Sequence, residues 1–140
     1  MPVQSPAAPS RVLDLPAADP AAAKNHFLMK LAIETDPSDV YADQQAGEKG
    51  FVVLDARSPQ SFAAGHVPGA VGIHHRVIDA STTAALSKDK VIVTYCTGPG
   101  CNASTKAAAK LSGLGFRVKE MIGGLDAWKE EGYPLETGPK

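Results

Sequence analysis

Residues 91 to 114, VIVTYCTGPGCNASTKAAAKLSGL, constrain the fold of this chain more than any other stretch. The opening VIVTY is a continuous apolar and β-branched run, the pattern of a strand buried on both faces. The closing segment sets Ala103, Ala107, Ala108, Leu111 and Leu114 on one helical stripe. Between them lies a short loop, CTGPGCN, that opens on Cys96. Gly98 and Gly100 permit positive φ there, and Pro99 stiffens the middle. Such a loop can turn successive backbone N–H groups inward, and the helix that follows adds its positive N-terminal end. A thiol at the mouth of that cradle is expected to ionise easily and to act as a thiolate at neutral pH. These residues point to Cys96 as a nucleophile whose negatively charged adducts are held by the loop. The competing reading is a buried, inert cysteine that ends a core strand.

The rest of the chain alternates short apolar runs with helical segments. Residues 1 to 19 are rich in Pro and Ala and read as a flexible arm. Asp19-Pro20 is a cap followed by Pro at the first helical position, and AAAKNHFLMKLA continues as a helix with Ala23, Phe27, Leu28 and Leu31 to one side. A first strand is expected within Lys30 to Glu34. Asp36-Pro37 starts a second helix that Gly47 closes. FVVLDARS, residues 51 to 58, is a strand ending in the polar residues Asp55 and Arg57. Ser58-Pro59 opens a short helix, PQSFAA, and Ala70 to Ile73 is a further strand. HHRVIDA and STTAALS are expected to form one or two short helices. Arg117 to Ile122 is the last strand, and LDAWKEEG the last helix, with Leu125 and Trp128 facing the core.

Strands alternating with helices, several of them nearly all apolar, imply a parallel sheet covered on both faces. Ligands of such sheets sit at the carboxyl ends of the strands. Those ends carry Asp55 and Arg57, His74 and His75, Cys96, and Gly123-Gly124. The polar and special residues thus converge on one edge.

Composition excludes several classes. A length of 140 residues favours one domain, and a formal net charge of -1 with no run of like charge argues against a nucleic-acid partner. No apolar run is long enough to span a membrane, and the N-terminus lacks the basic and apolar regions of a secretory signal. A cytoplasmic setting, where thiols stay reduced, is expected. The two cysteines, Cys96 and Cys101, do not suggest a structural staple, and too few ligands lie near them for zinc. No dinucleotide-binding glycine pattern and no phosphate-binding Lys loop are present, so no cofactor or metal is expected.

Three stretches together resemble the rhodanese family of single-domain sulfurtransferases. VVLDARSPQSFAAGHVPGAVGI, residues 52 to 73, is similar to the family's N-terminal signature. Cys96 opens the active-site loop after a strand, and GGLDAWKEEGYPLE, residues 123 to 136, is similar to the C-terminal signature. The resemblance covers roughly residues 30 to 136 and leaves residues 20 to 30 as an extra N-terminal helix on a domain running from 20 to 140. It implies an α/β fold with a five-stranded, mostly parallel sheet and helices on both faces, and transfer of sulfane sulfur through a persulfide on Cys96. The loop departs from the commonest form, which is shorter and often carries Arg or Lys. Thr97 to Ser104 contains no basic residue and holds a second cysteine, in the pattern YCxGPxCNxS. Thiosulfate is a dianion, so weak affinity for it is expected, with binding left to backbone donors, Thr97, Asn102 and Ser104.

Each candidate carries two readings. The substrate and persulfide loop comprises Thr97, Gly98, Pro99, Gly100, Cys101, Asn102, Ala103 and Ser104. Cys101 is either a resolving thiol toward Cys96 or a small residue filling space under the loop. Asp55 and Arg57 either support the loop and its substrate or form a structural ion pair, the preferred reading, and Lys106 is the nearest further cation. His66 reads as structural. His74 and His75 either line the pocket mouth or are ordinary exposed residues at a strand end. Trp128 reads as core. Asn102 and Ser104 compete for the helix N-cap.

The expected reaction moves sulfur from thiosulfate or another persulfide donor to cyanide, a thiol or a protein such as a sulfur-relay partner. A carrier or redox-sensing module using Cys96 and Cys101 is the alternative from a different class. Phosphatase or arsenate-reductase chemistry ranks below both, because the Cys-x5-Arg position falls on Asn102 and the guanidinium clamp is missing.

Overall fold

The computed structural model describes residues 10 to 139. Two compact units divide the chain, Met1–Lys30 and Leu31–Lys140. The arm expected over residues 1 to 19 falls outside the described residues up to position 9. Residues 11 to 15 form turns and a bend, with the Leu13 amide donating to Ser10 Oγ. Helix α1 (Pro20–Ile33) starts where Asp19-Pro20 predicts, and Asp19 accepts from the Ala21 and Ala22 amides. The helix runs through Lys30 to Ile33, so the first strand, β1 (Glu34–Thr35), is later and shorter than the sequence suggests.

The larger unit is a five-stranded sheet in the order β1-β5-β4-β2-β3, with every pairing parallel. Its members are β2 (Phe51–Asp55), β3 (Val71–Gly72), β4 (Val91–Tyr95) and β5 (Arg117–Met121). Between them run α2 (Pro37–Gln45), α3 (Pro59–Ala64) and α4 (Ala103–Gly113), and α5 (Gly124–Glu130) follows β5. The other two cap-plus-Pro signals hold as well. Asp36 accepts from the Asp39 amide, and Ser58 accepts from that of Ser61.

β2 and β4 pair in register from Phe51↔Val91 to Asp55↔Tyr95, which sets their polar ends side by side. Alternation along these strands feeds two cores. Val53, Val93 and Tyr95 pack with Phe62, Leu125 and Trp128 on one face. Leu54, Ile92 and Cys96 pack with Ala103, Ala107 and Leu111 on the other. A strand with helices over both faces has no solvated side, which is why β2 and β4 read as unbroken apolar runs.

The expected helices across residues 74 to 87 reduce to one 3₁₀ turn, α-helical nowhere, at His75–Val77, followed by hydrogen-bonded turns. The cause is local. Asp79 accepts from the Thr82 amide and Ser81 Oγ, while the Thr82 and Thr83 hydroxyls donate to the Asp79 carbonyl. These side chains satisfy the backbone in place of a helical ladder. The bond from the Thr82 amide first, and then that from the Ser81 hydroxyl, hold the Asp79 carboxyl below its ordinary range.

Candidate active site

Cys96 follows the last residue of β4, at the carboxyl edge of the sheet, and is 3% exposed. The chain then turns outward, so Thr97, Pro99, Gly100, Cys101 and Asn102 are exposed and Gly98 is half-buried. It re-enters at Ala103 and Ser104, which are buried in the first turn of α4. Within the loop the Cys101 amide donates to the Gly98 carbonyl at 3.1 Å.

The base of the loop is held from the far side by α5. The Leu125 amide donates to the Cys96 carbonyl at 2.9 Å, and the Asp126 amide to the Thr97 carbonyl at 2.8 Å. This docking needs glycine at two positions outside the loop. Gly123 and Gly124 have φ of 79° and 59°, and a Cβ on Gly124 would collide with the Cys96 carbonyl. Gly98 and Gly100 do not use the positive φ that they permit. The left-handed backbone that shapes the site lies on the neighbouring β5–α5 turn, because there the chain must reverse while its amides face the loop.

Cys96 and Cys101 are joined by a disulfide, with their Cα atoms 6.3 Å apart. Cys101 is exposed rather than packed under the loop, so it fills no space there. Both cysteines line a cleft of about 320 Å³. Of the residues expected at the site, Gly98, Pro99 and Ser104 share this cleft, while Thr97, Gly100, Asn102 and Ala103 do not line it. The rest of its wall comes from Glu34, Thr105, Glu120 and the stretch Met121 to Gly124.

Glu120 is the residue that the sequence reading missed. Its Oε2 accepts from Ser104 Oγ at 3.0 Å and from Thr105 Oγ1 at 2.7 Å. Ser104 therefore does not cap α4, and Asn102, at the N-cap, makes no side-chain cap bond either. The first helical amide bond is from Lys106 to the Asn102 carbonyl, so the amides of Ala103, Ser104 and Thr105 precede the ladder. The only sequence signal for Glu120 was an acidic residue in an exposed-looking strand, and its pairing with α4 is a long-range contact.

Asp55 and Arg57 are brought together, but neither lines the cysteine cleft. Asp55 is fully buried and accepts from the Arg57 amide, from Arg57 Nε and Nη2, and from the Tyr95 hydroxyl. Arg57 Nη2 also donates to the Gly65 carbonyl, and Tyr95 Oη accepts from the Val67 amide. The network ties β2 and β4 to the turn after α3. Burial works to lower the Arg57 pKa, and the hydrogen bonds and charge of Asp55 outweigh it, leaving the guanidinium raised. His66 belongs to the same turn. Its Nδ1 lies 2.8 Å from the Phe62 carbonyl, and its ring stacks on Phe62.

A larger cavity, of about 600 Å³, is lined by Arg57, Phe62, His74 and Glu136 among others. It contains neither cysteine and so lacks a nucleophile. Lys106 is exposed on α4, and it contributes to the set that lowers the His75 pKa: partial burial first, then repulsion from His74, Lys106, Arg76 and Lys110. Among the described residues, no Lys or Arg lines the cysteine cleft. Among the described residues, no group of three or more His, Cys, Asp or Glu side chains is placed to hold a metal ion, and no helix is long and apolar enough to cross a membrane.

A parallel α/β sheet with a cysteine-headed loop between its central strand and α4, its base held by the amides of α5, defines an α/β domain of one recurrent architecture with its candidate site at the carboxyl edge. The rhodanese-like domain family matches residues 36–131, and the chain belongs to that family as a rhodanese-type sulfurtransferase. It is 41% identical over 92 residues to the thiosulfate sulfurtransferase GlpE of Pseudomonas putida, a match spanning 64% of this chain and 79% of that one. The GlpE protein of Pseudomonas syringae is 38% identical over 96 residues, covering 67% and 86% of the two chains. Among solved structures, the BH2092 protein from Bacillus halodurans superposes with a TM-score of 0.83 at 45% identity, covering 85% of this chain and 87% of its own.

Proposed function

We propose that the protein moves sulfane sulfur from an anionic or persulfide donor, thiosulfate among them, to a thiophilic acceptor through a persulfide on Cys96. The observation that carries this reading is the position of Cys96, buried at the sheet's carboxyl edge on the wall of a cleft, with its carbonyl fixed by the Leu125 amide. The disulfide must first be reduced. The Cys96 thiolate then attacks the outer sulfur of the donor, the donor's S–S bond breaks, and sulfite leaves when the donor is thiosulfate. No separate general base is required, since the thiolate is already the nucleophile.

The charge on the terminal sulfur is received by backbone donors rather than by a side-chain cation. The amides of Ala103, Ser104 and Thr105 open α4 beside the cleft, and the helix end adds its partial positive charge. Asp55 and Arg57 act as a structural pair that fixes the strand ends. Glu120 lines the same cleft, and its carboxylate opposes a dianion. Weak thiosulfate affinity follows, and an acceptor or donor of lower charge, such as a thiol or a protein persulfide, fits the cleft better. A cytoplasmic setting suits a reaction that needs a reduced cysteine.

The carrier reading keeps one specific observation in its favour, the pairing of Cys96 with Cys101. Turnover separates the two. Reduced protein is supplied with thiosulfate and cyanide, and thiocyanate formation is followed over many equivalents. Catalytic turnover that Cys96→Ser abolishes supports the enzyme. A single equivalent of sulfur bound to Cys96 without turnover supports the carrier. A Cys96→Ser protein as active as wild type would remove the persulfide reading altogether.

A further inference from the structure

We propose that Cys101 resolves the Cys96 persulfide, so that the enzyme releases sulfane sulfur as hydrosulfide and returns to its starting state at the expense of an external dithiol. The proposal rests on the persulfide reading above and extends it to a second, reductive activity.

Three observations carry it. The sulfurs of Cys96 and Cys101 are bonded across the loop, and their Cα separation of 6.3 Å lies inside the range that a disulfide requires. Cys101 can therefore reach Cys96 without rebuilding the loop. Second, the two cysteines differ in access. Cys96 is 3% exposed, whereas Cys101 stands on the exposed part of the loop. A bulky dithiol can attack Cys101 Sγ from solvent and expel Cys96 as the thiolate that begins the next cycle. Third, among the described residues the cleft holds no cation for a terminal sulfur anion, and Glu120 is fixed on its wall by the Ser104 and Thr105 hydroxyls. The terminal sulfur is then held by the amides that open α4 alone, and no ion pair has to break when it leaves.

The chemistry balances. Cys101 Sγ attacks the inner sulfur of the Cys96 persulfide, the Cys96–Cys101 bond forms, and the outer S–S bond breaks. The outer sulfur leaves as hydrosulfide, carrying the electron pair and the proton that Cys101 gives up. Hydrosulfide is a better leaving group than an alkyl thiolate because its conjugate acid is stronger, and an attacking thiol in the same loop has a high effective concentration. The external dithiol then supplies two electrons and two protons, becoming a disulfide itself. With thiosulfate as donor, the sum is thiosulfate and a dithiol giving sulfite, hydrosulfide, a proton and the oxidised dithiol.

The test is a single turnover. Wild type, Cys101→Ser, Cys101→Ala and Cys96→Ser are reduced with dithiothreitol, freed of it without air, and given excess thiosulfate. Dithiol is left out of this step because it would strip a persulfide from any variant. Intact mass and released sulfide are read together. Wild type is expected to release close to one equivalent of sulfide and to end two hydrogens lighter than its reduced form. Both Cys101 variants are expected to gain one sulfur atom and release none, and Cys96→Ser to do neither. A wild type that keeps the extra sulfur, on either cysteine, and releases no sulfide overturns the resolving step and leaves the persulfide reading standing. Cys101 variants that fold by circular dichroism yet gain no sulfur overturn both.

Discussion

Tyr95 is fully buried between Asp55, whose carboxylate receives its hydroxyl proton, and the Val67 amide, which donates to its oxygen. Burial first, and then the charge of Asp55, push its pKa well above the ordinary tyrosine value. A raised native pKa means that the folded protein keeps the proton where the unfolded chain releases it. The stability that Tyr95 contributes is therefore intact below about pH 10 and is lost as pH rises above it. Urea unfolding from pH 8 to pH 11 should show a loss of stability above about pH 10 that is shallower in Tyr95→Phe. Identical slopes in the two proteins would mean that the phenol ionises freely in the fold. Glu120 calls for a different measurement. Replacing it by Gln keeps the Ser104 and Thr105 partners but removes a charge from the cleft wall. A half-buried charge that still borders solvent is worth about 0.5–1 kcal/mol, so KM for thiosulfate should fall about two- to five-fold with kcat little changed. Added salt should shrink the difference. An unchanged KM would show that the donor does not sense this carboxylate.

At the scale of elements, the site depends on α5 as much as on the loop that bears the cysteine. Gly124 sits against the Cys96 carbonyl at positive φ, so an added methyl group meets rigid backbone. Gly98 is also crowded, but there the neighbour is Asp126 Oδ2 at 2.6 Å, the far end of a side chain that can turn away. Gly124→Ala is therefore expected to cost about 1–3 kcal/mol of stability and to impair sulfur transfer more than ten-fold, while Gly98→Ala changes both far less. Chemical denaturation and a thiocyanate assay on the two variants check this, and equal effects would sink the argument. The contrast also shows what was legible beforehand. β4 and α4 are local patterns, an apolar run and an alanine stripe, so their bounds follow from the sequence within a residue or two. The glycines at 98 and 100 drew attention because they lie in the loop, yet the strained positions are 123 and 124, set by a contact across the sheet edge. The segment from 74 to 87 departs from the expected helices for the opposite reason. Its hydroxyls and Asp79 take up backbone partners locally, which a helical pattern of apolar residues does not reveal.

For the molecule as a whole, the two cysteines link chemistry to stability. The loop that they close is short, and the chain-entropy account of a disulfide gives about 2 kcal/mol for a ring of this size. Reduction should lower the unfolding free energy by no more than that, because the base of the loop stays pinned by the Leu125 and Asp126 amides and Cys96 remains packed with Leu54, Ile92 and Ala107. Neither anchor depends on the S–S bond. Urea unfolding of wild type with and without dithiothreitol, beside a Cys96→Ser/Cys101→Ser double variant that is blind to reductant, measures the difference. A loss near 2 kcal/mol or less, seen only in wild type, fits a protein whose fold tolerates both redox states and can cycle between them. A loss large enough to unfold the chain would make the disulfide a structural bond, and a catalytic cycle that opens it at every turnover would then be untenable.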